Sequence, residues 1–233
     1  MNRRLIIYSI FVSLALTLLC ILFFDQPIAA FVQRSDGRSS TILLKGTTFL
    51  EVISGFPIGK YALTYALIAA GLIFLAWKST RSAAWTLLFI GCTQYTTRLI
   101  AGILKGVFER LRPFEVIEAG NWDWKFFGGH GASFPSGHSA HFWGLYFPLA
   151  YLFPHYRIPL SIIPLFISVA RVGVNDHWCS DVLGSMAIAA AITLLFISIF
   201  RIKPAQTAET PMEISNPRHQ IPRKSQGFNS QSS

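Results

Sequence analysis

The sequence predicts an all-α membrane protein in which six transmembrane helices pack as one bundle. The first observation is composition, because 52% of the 233 residues are hydrophobic and only 13% are charged. A soluble domain usually carries about 25% charged residues. The second observation is that the apolar residues gather into six stretches of near-spanning length. The chain length suits one domain, which we expect to cover residues 1–203.

Each apolar stretch is interpreted as a helix, because backbone groups inside hydrocarbon must be hydrogen-bonded within their own segment. Several stretches are shorter than the ~20 residues that a span prefers, so we expect their ends to extend into the flanks. Residues 25–60 are then the first outer loop. The predicted spans are about Leu5–Phe24, Ala62–Trp77, Ala83–Leu104, His138–Phe153, Ile158–Val174 and Val182–Phe200.

Basic residues at the span ends predict the orientation, since Lys and Arg are enriched in cytoplasmic loops. If the spans alternate, one side collects Arg3, Arg4, Lys78, Arg81, Arg157, Arg201 and Lys203. The first outer loop also carries four basic residues, which weakens this count. We expect both termini in the cytoplasm, with residues 204–233 as a polar, disordered tail that lacks apolar periodicity.

The net charge of +9 does not by itself predict nucleic-acid binding. The cations occupy span flanks and three short motifs, and no basic stripe interleaved with aromatic residues is present. Three cysteines without paired spacing predict no disulfide framework. His130, His138 and His141 suggest a metal site, but no carboxylate ligands accompany them. We expect no metal, no cofactor, no nucleic acid and no obligate protein partner.

Three short motifs carry the groups that a phosphate-handling site needs. They lie at the ends of predicted spans 3, 4, 5 and 6, and alternation of the spans places all of them at the extracytoplasmic face. The groups are Lys105 and Arg112 in the first motif, Ser136, Gly137 and His138 in the second, and Arg171, His177 and Asp181 in the third.

The basic side chains suit a transferred phosphoryl group, whose charge must be held during in-line attack. Arg112 and Arg171 add a planar fork that matches phosphate oxygens, and Lys105 adds a point charge. Ser136 can donate a hydroxyl hydrogen bond, and Gly137 allows close approach of the backbone. Free N–H groups at the start of a helix also favour an anion.

The two histidines divide the chemistry. His177 and Asp181 are four residues apart and share a helix face, so the carboxylate can orient the imidazole and stabilise its positive charge. This favours His177 as nucleophile, with a phosphohistidine intermediate. His138 lacks a carboxylate nearby in the sequence and is assigned as general acid, then base. Asp176 is interpreted as the N-cap of the last span.

The three motifs resemble the signature of the type 2 phosphatidic acid phosphatase (PAP2) superfamily, K-x6-RP, PSGH and SR-x5-H-x3-D. The match covers residues 105–181, and the six-span layout extends it to about residues 1–203. The resemblance implies the roles above and independence from metal ions. One position departs, because Ala170 replaces the usual serine before Arg171. The family also includes vanadium-dependent haloperoxidases, but those are soluble, so the six predicted spans argue against that activity here.

The small six-span form resembles bacterial members of the family, which implies an integral protein of the inner membrane with its site facing the periplasm. The implied substrates are lipid A phosphates, undecaprenyl pyrophosphate, phosphatidylglycerol phosphate and phosphatidic acid, and we favour lipid A or the undecaprenyl carrier. A lipid phosphotransferase on the same scaffold stays open, as does a non-catalytic lipid binding or transport protein.

Two further features have two interpretations each. Arg98 lies inside span 3, and an intramembrane arginine needs a partner. It either supports the site from below or pairs with a polar group of another span. The loop 114–134 contains Trp122 and Trp124, which favour the membrane interface. This loop either holds a lipid headgroup or acts as a lid beside the site, or it only anchors the protein at the interface.

Overall fold

The computed structural model describes residues 1–120 and 126–203. Within these ranges the chain forms nine α-helices and no β-strand, which confirms the predicted all-α class. The predicted tail, residues 204–233, lies outside the described residues, as do Trp122 and Trp124. The helices are α1 (Arg3–Leu19), α2 (Asp25–Arg34), α3 (Thr41–Ile53), α4 (Ala62–Phe74), α5 (Arg81–Phe108), α6 (Pro113–Glu118), α7 (Gly137–Leu152), α8 (Arg157–Gly173) and α9 (Cys179–Phe200).

Every predicted span coincides with a helix, namely α1, α4, α5, α7, α8 or α9. Four helical stretches in the described part of the chain are long and apolar enough to cross a membrane: Arg3–Arg34, Lys78–Glu118, Pro154–Gly173 and Cys179–Phe200. Helix α4 has 13 residues and α7 has 16. At 1.5 Å per residue these helices are about 20–24 Å long, shorter than the ~30 Å hydrocarbon core. The count of six spans therefore stays a prediction.

Most of the segment predicted to be the first outer loop, residues 25–60, is helical, and its position outside the membrane stays a prediction. Helix α1 continues through a π-helical turn at Cys20–Phe24 directly into α2. The N–H of Asp25 bonds to the Cys20 carbonyl, which keeps the backbone helical across the turn. The Asp25 carboxylate is buried beside the guanidinium of Arg110, which compensates its charge, so a charged residue is tolerated inside this continuous helix. Helix α3 follows and packs against α8.

Helices α7 and α9 lie at the centre of the bundle, and α5 contacts both of them. Phe147 and Ala150 of α7 and Ala189 and Ala190 of α9 are fully buried. Small residues let membrane helices approach closely, which explains the alanine-rich sequence of α9. Helix α1 packs on α9, while its outer side chains, such as Phe11, are exposed. That outer apolar face suits contact with lipid.

The chain order brings four helix ends together. Helices α5 and α8 end where α7 and α9 begin, and the N–H of Ser136 bonds to the carbonyl of Asp181 at 3.1 Å. This bond joins the N-terminal turn of α7 to that of α9. The three motifs identified in the sequence consequently meet at one end of the bundle.

Candidate active site

A pocket of about 250 Å³ opens at this end of the bundle. The two predicted residues that do not line it, Ser136 and Asp181, are fully buried next to residues that do. The structure therefore brings all three sequence motifs together around one space. The predicted residues that line the pocket are Lys105, Arg112, Gly137, His138, Arg171 and His177.

His177 lies in the short connection between α8 and α9. Its backbone N–H bonds to the Arg171 carbonyl at 3.2 Å, and its Nδ1 lies 3.3 Å from Oδ2 of Asp181. Burial lowers the pKa of His177 to about 4, although the Asp181 carboxylate opposes this shift. The imidazole is therefore neutral at pH 7, which is the form that a nucleophile requires.

Asp181 is held by three further donors, all at buried positions. Its Oδ2 accepts from the N–H of Trp178 at 2.9 Å and from the hydroxyl of Ser133 at 2.5 Å. Its Oδ1 accepts from Arg110 at 2.7 Å. A carboxylate with this many donors keeps its charge and its orientation. The direction in which it presents itself to His177 is thus set by the surrounding protein.

Arg110 extends this arrangement to a second carboxylate, which the sequence did not indicate. Its guanidinium also bonds to Asp25 at 2.7 Å and to the Ser180 hydroxyl at 2.7 Å. The side chains of Arg110 and Asp25 are 0% and 1% exposed. The resulting buried ion pairs link Asp25, Arg110, Asp181 and His177. Asp25 stands 85 positions from Arg110 along the chain, so no local pattern predicts the pair.

His138 lies in the first turn of α7. Ser136 is the N-cap of this helix, and its hydroxyl accepts from the N–H of Ser139 at 3.4 Å. The carboxylate that the local sequence lacks is supplied by α3, because Glu51 Oε1 lies 2.5 Å from His138 Nε2. A β-carbon at Gly137 would meet Lys105 at 3.8 Å, an ordinary contact. The glycine therefore keeps space for a pocket ligand and relieves no clash within the protein.

The three basic residues approach the pocket from different elements. Lys105 Nζ, near the end of α5, donates to the carbonyls of Ala132 and Ser133. Arg112 immediately precedes Pro113, which begins α6 as the first helical residue, a position that proline favours. Arg171 lies in the last turn of α8. All three point positive charge into the same space.

Asp176 does not cap the last helix, so that interpretation was wrong. The N-cap of α9 is Trp178, because the chain turns two residues later than expected. Asp176 instead contacts Arg171 at 2.6 Å and Arg112 at 3.9 Å. Within the described residues, Arg171 Nε is buried without a hydrogen-bond partner. Such a donor is costly to leave unpaired, and it is suited to an anionic oxygen.

Comparison with known proteins agrees with this geometry. The sequence model of the PAP2 superfamily matches residues 83–204, just over half of the chain and all three motifs. The chain belongs to the PAP2 superfamily. This result confirms the resemblance inferred from the motifs.

Two curated relatives of this PAP2 protein are lipid A 1-phosphatases. That of Rhizobium johnstonii (strain DSM 114642 / LMG 32736 / 3841) is 31% identical over 197 residues, which span 82% of this chain and 79% of that protein. That of Rhizobium etli (strain ATCC 51251 / DSM 11541 / JCM 21823 / NBRC 15573 / CFN 42) is 27% identical over 202 residues, spanning 82% and 83%.

A solved structure shares the fold. The crystal structure of a transmembrane PAP2-type phosphatidylglycerolphosphate phosphatase from Bacillus subtilis superposes with a TM-score of 0.55 at 20% identity. The match covers 85% of this chain and 100% of that one. With this family and these relatives, the protein is a phosphatase, and its long apolar helices make it an integral membrane protein.

The pocket of this PAP2 protein also includes residues that lie outside the signature. Phe56 and Lys60 come from the segment expected to be an outer loop, Tyr61 is the N-cap of α4, and Arg98 comes from α5. Arg98 NH1 bonds to His141 Nδ1 at 2.9 Å. The interpretation of Arg98 as paired with a polar group of another helix is therefore confirmed, and Arg98 also lines the pocket; its support of the site stays a prediction. In the described ranges, no group of three or more His, Cys, Asp or Glu residues could hold a metal ion.

Proposed function

We propose that the protein is an integral membrane lipid phosphatase that removes phosphate from a lipid A-type substrate through a phosphohistidine intermediate. The observation that supports this proposal most directly is the pocket itself. It places His138 and His177 in one space with three basic side chains. These are the acid, the nucleophile and the charge that phosphate-ester cleavage requires.

In the first step, Nε2 of His177 attacks phosphorus while Nδ1–H remains hydrogen-bonded to Asp181. The bond between phosphorus and the ester oxygen breaks, and His138 donates a proton to that leaving oxygen. The imidazole becomes cationic once it carries the phosphoryl group, and Asp181 stabilises this charge. Arg171, including the Nε–H that has no partner among the described residues, and Lys105 bind the equatorial oxygens.

In the second step, water attacks the phosphohistidine. His138, now neutral, takes the proton from this water, the bond between nitrogen and phosphorus breaks, and inorganic phosphate leaves. His177 returns to its neutral form, which its low pKa favours. Every proton transfer is made by a side chain of this protein, in agreement with the metal independence that the family resemblance implies.

A lipid substrate is supported by a second, apolar cleft of about 290 Å³. It is lined by residues of α3, including Leu50 and Ile53, and residues of α7, including Phe142 and Leu145. The same end of α3 carries Glu51, which contacts His138. An acyl chain in this cleft would lie beside the catalytic end of the bundle while the phosphate occupies the polar pocket.

The favoured substrate follows from the relatives, since two lipid A 1-phosphatases align with 82% of the chain. The favoured membrane side follows from the loop charges, which favour a cytoplasmic position for both termini. Alternation of spans then directs the pocket to the periplasmic face of a bacterial inner membrane. A site on that side would meet lipids of the outer leaflet.

The test is phosphate release by the purified protein from lipid A, undecaprenyl pyrophosphate, phosphatidylglycerol phosphate and phosphatidic acid, each in chelator. We expect lipid A to be the best substrate and His177→Ala to be inactive. Phosphate label from lipid A should be trapped on His177 as an acid-labile adduct. Release by His177→Ala at the wild-type rate would refute the mechanism. Transfer of label to an added lipid alcohol would favour a phosphotransferase, and binding without release would favour a transport protein.

A further inference from the structure

The contact between Glu51 and His138 has no counterpart in the three motifs. Glu51 belongs to α3, and 87 positions separate it from His138. Its Oε1 lies 2.5 Å from Nε2 of His138, and the two side chains are 28% and 21% exposed. The distance is typical of a charge-assisted hydrogen bond.

A second contact restricts the same imidazole. The ring of Phe56 stacks on the ring of His138 with a centroid distance of 5.3 Å and an interplanar angle of 19°. Within the described residues, Glu51 is the hydrogen-bond partner of this histidine. The ring is thus oriented by one stacking contact and one hydrogen bond, and both come from the segment between α2 and α4.

The position of Glu51 determines which nitrogen faces the substrate. His138 lines the pocket, and Glu51 is not among the lining residues. Because Nε2 is bonded to Glu51, Nδ1 is the nitrogen available to the leaving oxygen. His177 is arranged in the complementary way, with Nδ1 held by Asp181 and Nε2 available to phosphorus.

We infer that Glu51 is a positioning residue that orients His138 and stabilises its protonated form for general-acid catalysis. The inference rests on the proposed function, in which His138 protonates the leaving oxygen. The site then contains two carboxylate–histidine pairs, one for the nucleophile and one for the acid. The second pair joins α7 to α3, which packs against α8.

The surroundings of His138 explain why a carboxylate is needed there. Burial disfavours the cationic form of this imidazole most, and Arg171 of α8 and Arg98 of α5 disfavour it further, whereas Glu51 of α3 favours it. The hydrogen bond from His138 lowers the pKa of Glu51, although burial opposes this shift. Glu51 is therefore anionic at neutral pH and offsets the two arginines.

The experiment compares two leaving groups in Glu51→Gln. The probes are two micellar phosphate monoesters with the same dodecyl chain, one on a benzyl alcohol and one on a nitrophenol. A benzyl alkoxide needs a proton to leave, whereas a nitrophenolate leaves without one. We expect kcat/KM to fall roughly 10- to 100-fold for the benzyl ester and less than about 3-fold for the nitrophenyl ester.

The pH profile provides a second readout. Loss of the carboxylate should move the basic limb of kcat/KM for the benzyl ester to lower pH, because the imidazolium loses a stabilising charge. Glu51→Asp, which keeps the charge, should restore part of this shift. A residue with a merely structural role would leave the limb unchanged. Glu118→Gln is the matched control, since Glu118 is exposed and pairs with Arg38 away from the pocket.

If Glu51→Gln lost the same factor in kcat/KM for both esters, or lost nothing for either, the inference would be overturned. Phosphate release by the wild-type protein in the same assay would still support the proposed function. Thermal unfolding of each variant in detergent identifies a general defect, which would lower both rates alike. A wild-type protein that releases phosphate from neither ester and not from lipid A would instead overturn the proposed function, and the inference with it.

Discussion

Arg110→Met offers the sharpest test of how the site is built. Arg110 is fully buried between two carboxylates, at 2.7 Å from Asp25 and 2.7 Å from Asp181. The methionine fills a similar volume but removes the charge. Two carboxylates with almost no solvent exposure then lose the cation that they share.

The expected cost follows from this geometry. Removing one partner of a buried ion pair typically destabilises a protein by about 3–5 kcal/mol, because the remaining charge is uncompensated. A native protein is stable by only about 5–15 kcal/mol in total, so the variant should unfold under much milder conditions. Asp181 also loses the donor to its Oδ1, and with it a constraint on the carboxylate that orients His177. We therefore expect turnover to fall even where the fold persists.

The assay is reversible unfolding in mixed detergent micelles, measured for Arg110→Met, Asp25→Asn and the double variant. The double variant leaves one uncompensated buried carboxylate, whereas Arg110→Met leaves two. We therefore expect its loss of unfolding free energy to be smaller than the sum of the two single losses by about 1–3 kcal/mol. If Arg110→Met unfolds within about 1 kcal/mol of the wild type, the reasoning is refuted. Strict additivity of the two single losses would refute the shared-cation argument alone.

Three further predictions concern the pocket. Because the pKa of His177 is about 4, protonation of this nucleophile should lower kcat/KM, corrected for substrate ionisation, as the pH falls through about 4. This fall is the acidic limb of the profile. Asp181→Asn, which removes a carboxylate that raises this pKa, should move the limb lower; a limb near 6.5 would contradict the burial argument. Arg171→Lys keeps the charge but loses Nε–H, so kcat/KM should fall roughly 10-fold or more; equal kinetics would show that this donor does not bind phosphate. Arg98→Ala should lower both turnover and thermal stability, since Arg98 lines the pocket and bonds to His141; retention of both would exclude a supporting role.

Much of the fold could be predicted because its causes are local. Apolar stretches predict helices in a membrane wherever they occur, and all six are helical in the structure. The contact of His177 with Asp181 was expected from four-residue helical spacing and is present at 3.3 Å, although His177 lies in the connection that precedes α9 and not on the helix itself. The convergence of the three motifs follows from the alternation of helices, since helix ends on one side of a bundle become neighbours.

The segment 25–60 shows the limit of this reasoning. It was interpreted as a loop because it lies between two predicted spans, yet α2 and α3 occupy most of it. Its acidic residues have partners elsewhere in the fold, because Asp25 bonds to Arg110 and Glu51 bonds to His138. A charged residue whose partner is distant in the chain looks, in the sequence, like a residue facing solvent.

The sequence by itself therefore determined the all-α class, the family and the residue types that meet a phosphate. Only the tertiary structure decided how those residues are held. Asp25, Arg110 and Glu51 join elements 71 to 87 positions apart, and no periodicity in a single chain records such pairs. The physical reason is that a buried charge is stable only beside its counter-charge, and the folding of the whole bundle determines which residue that is.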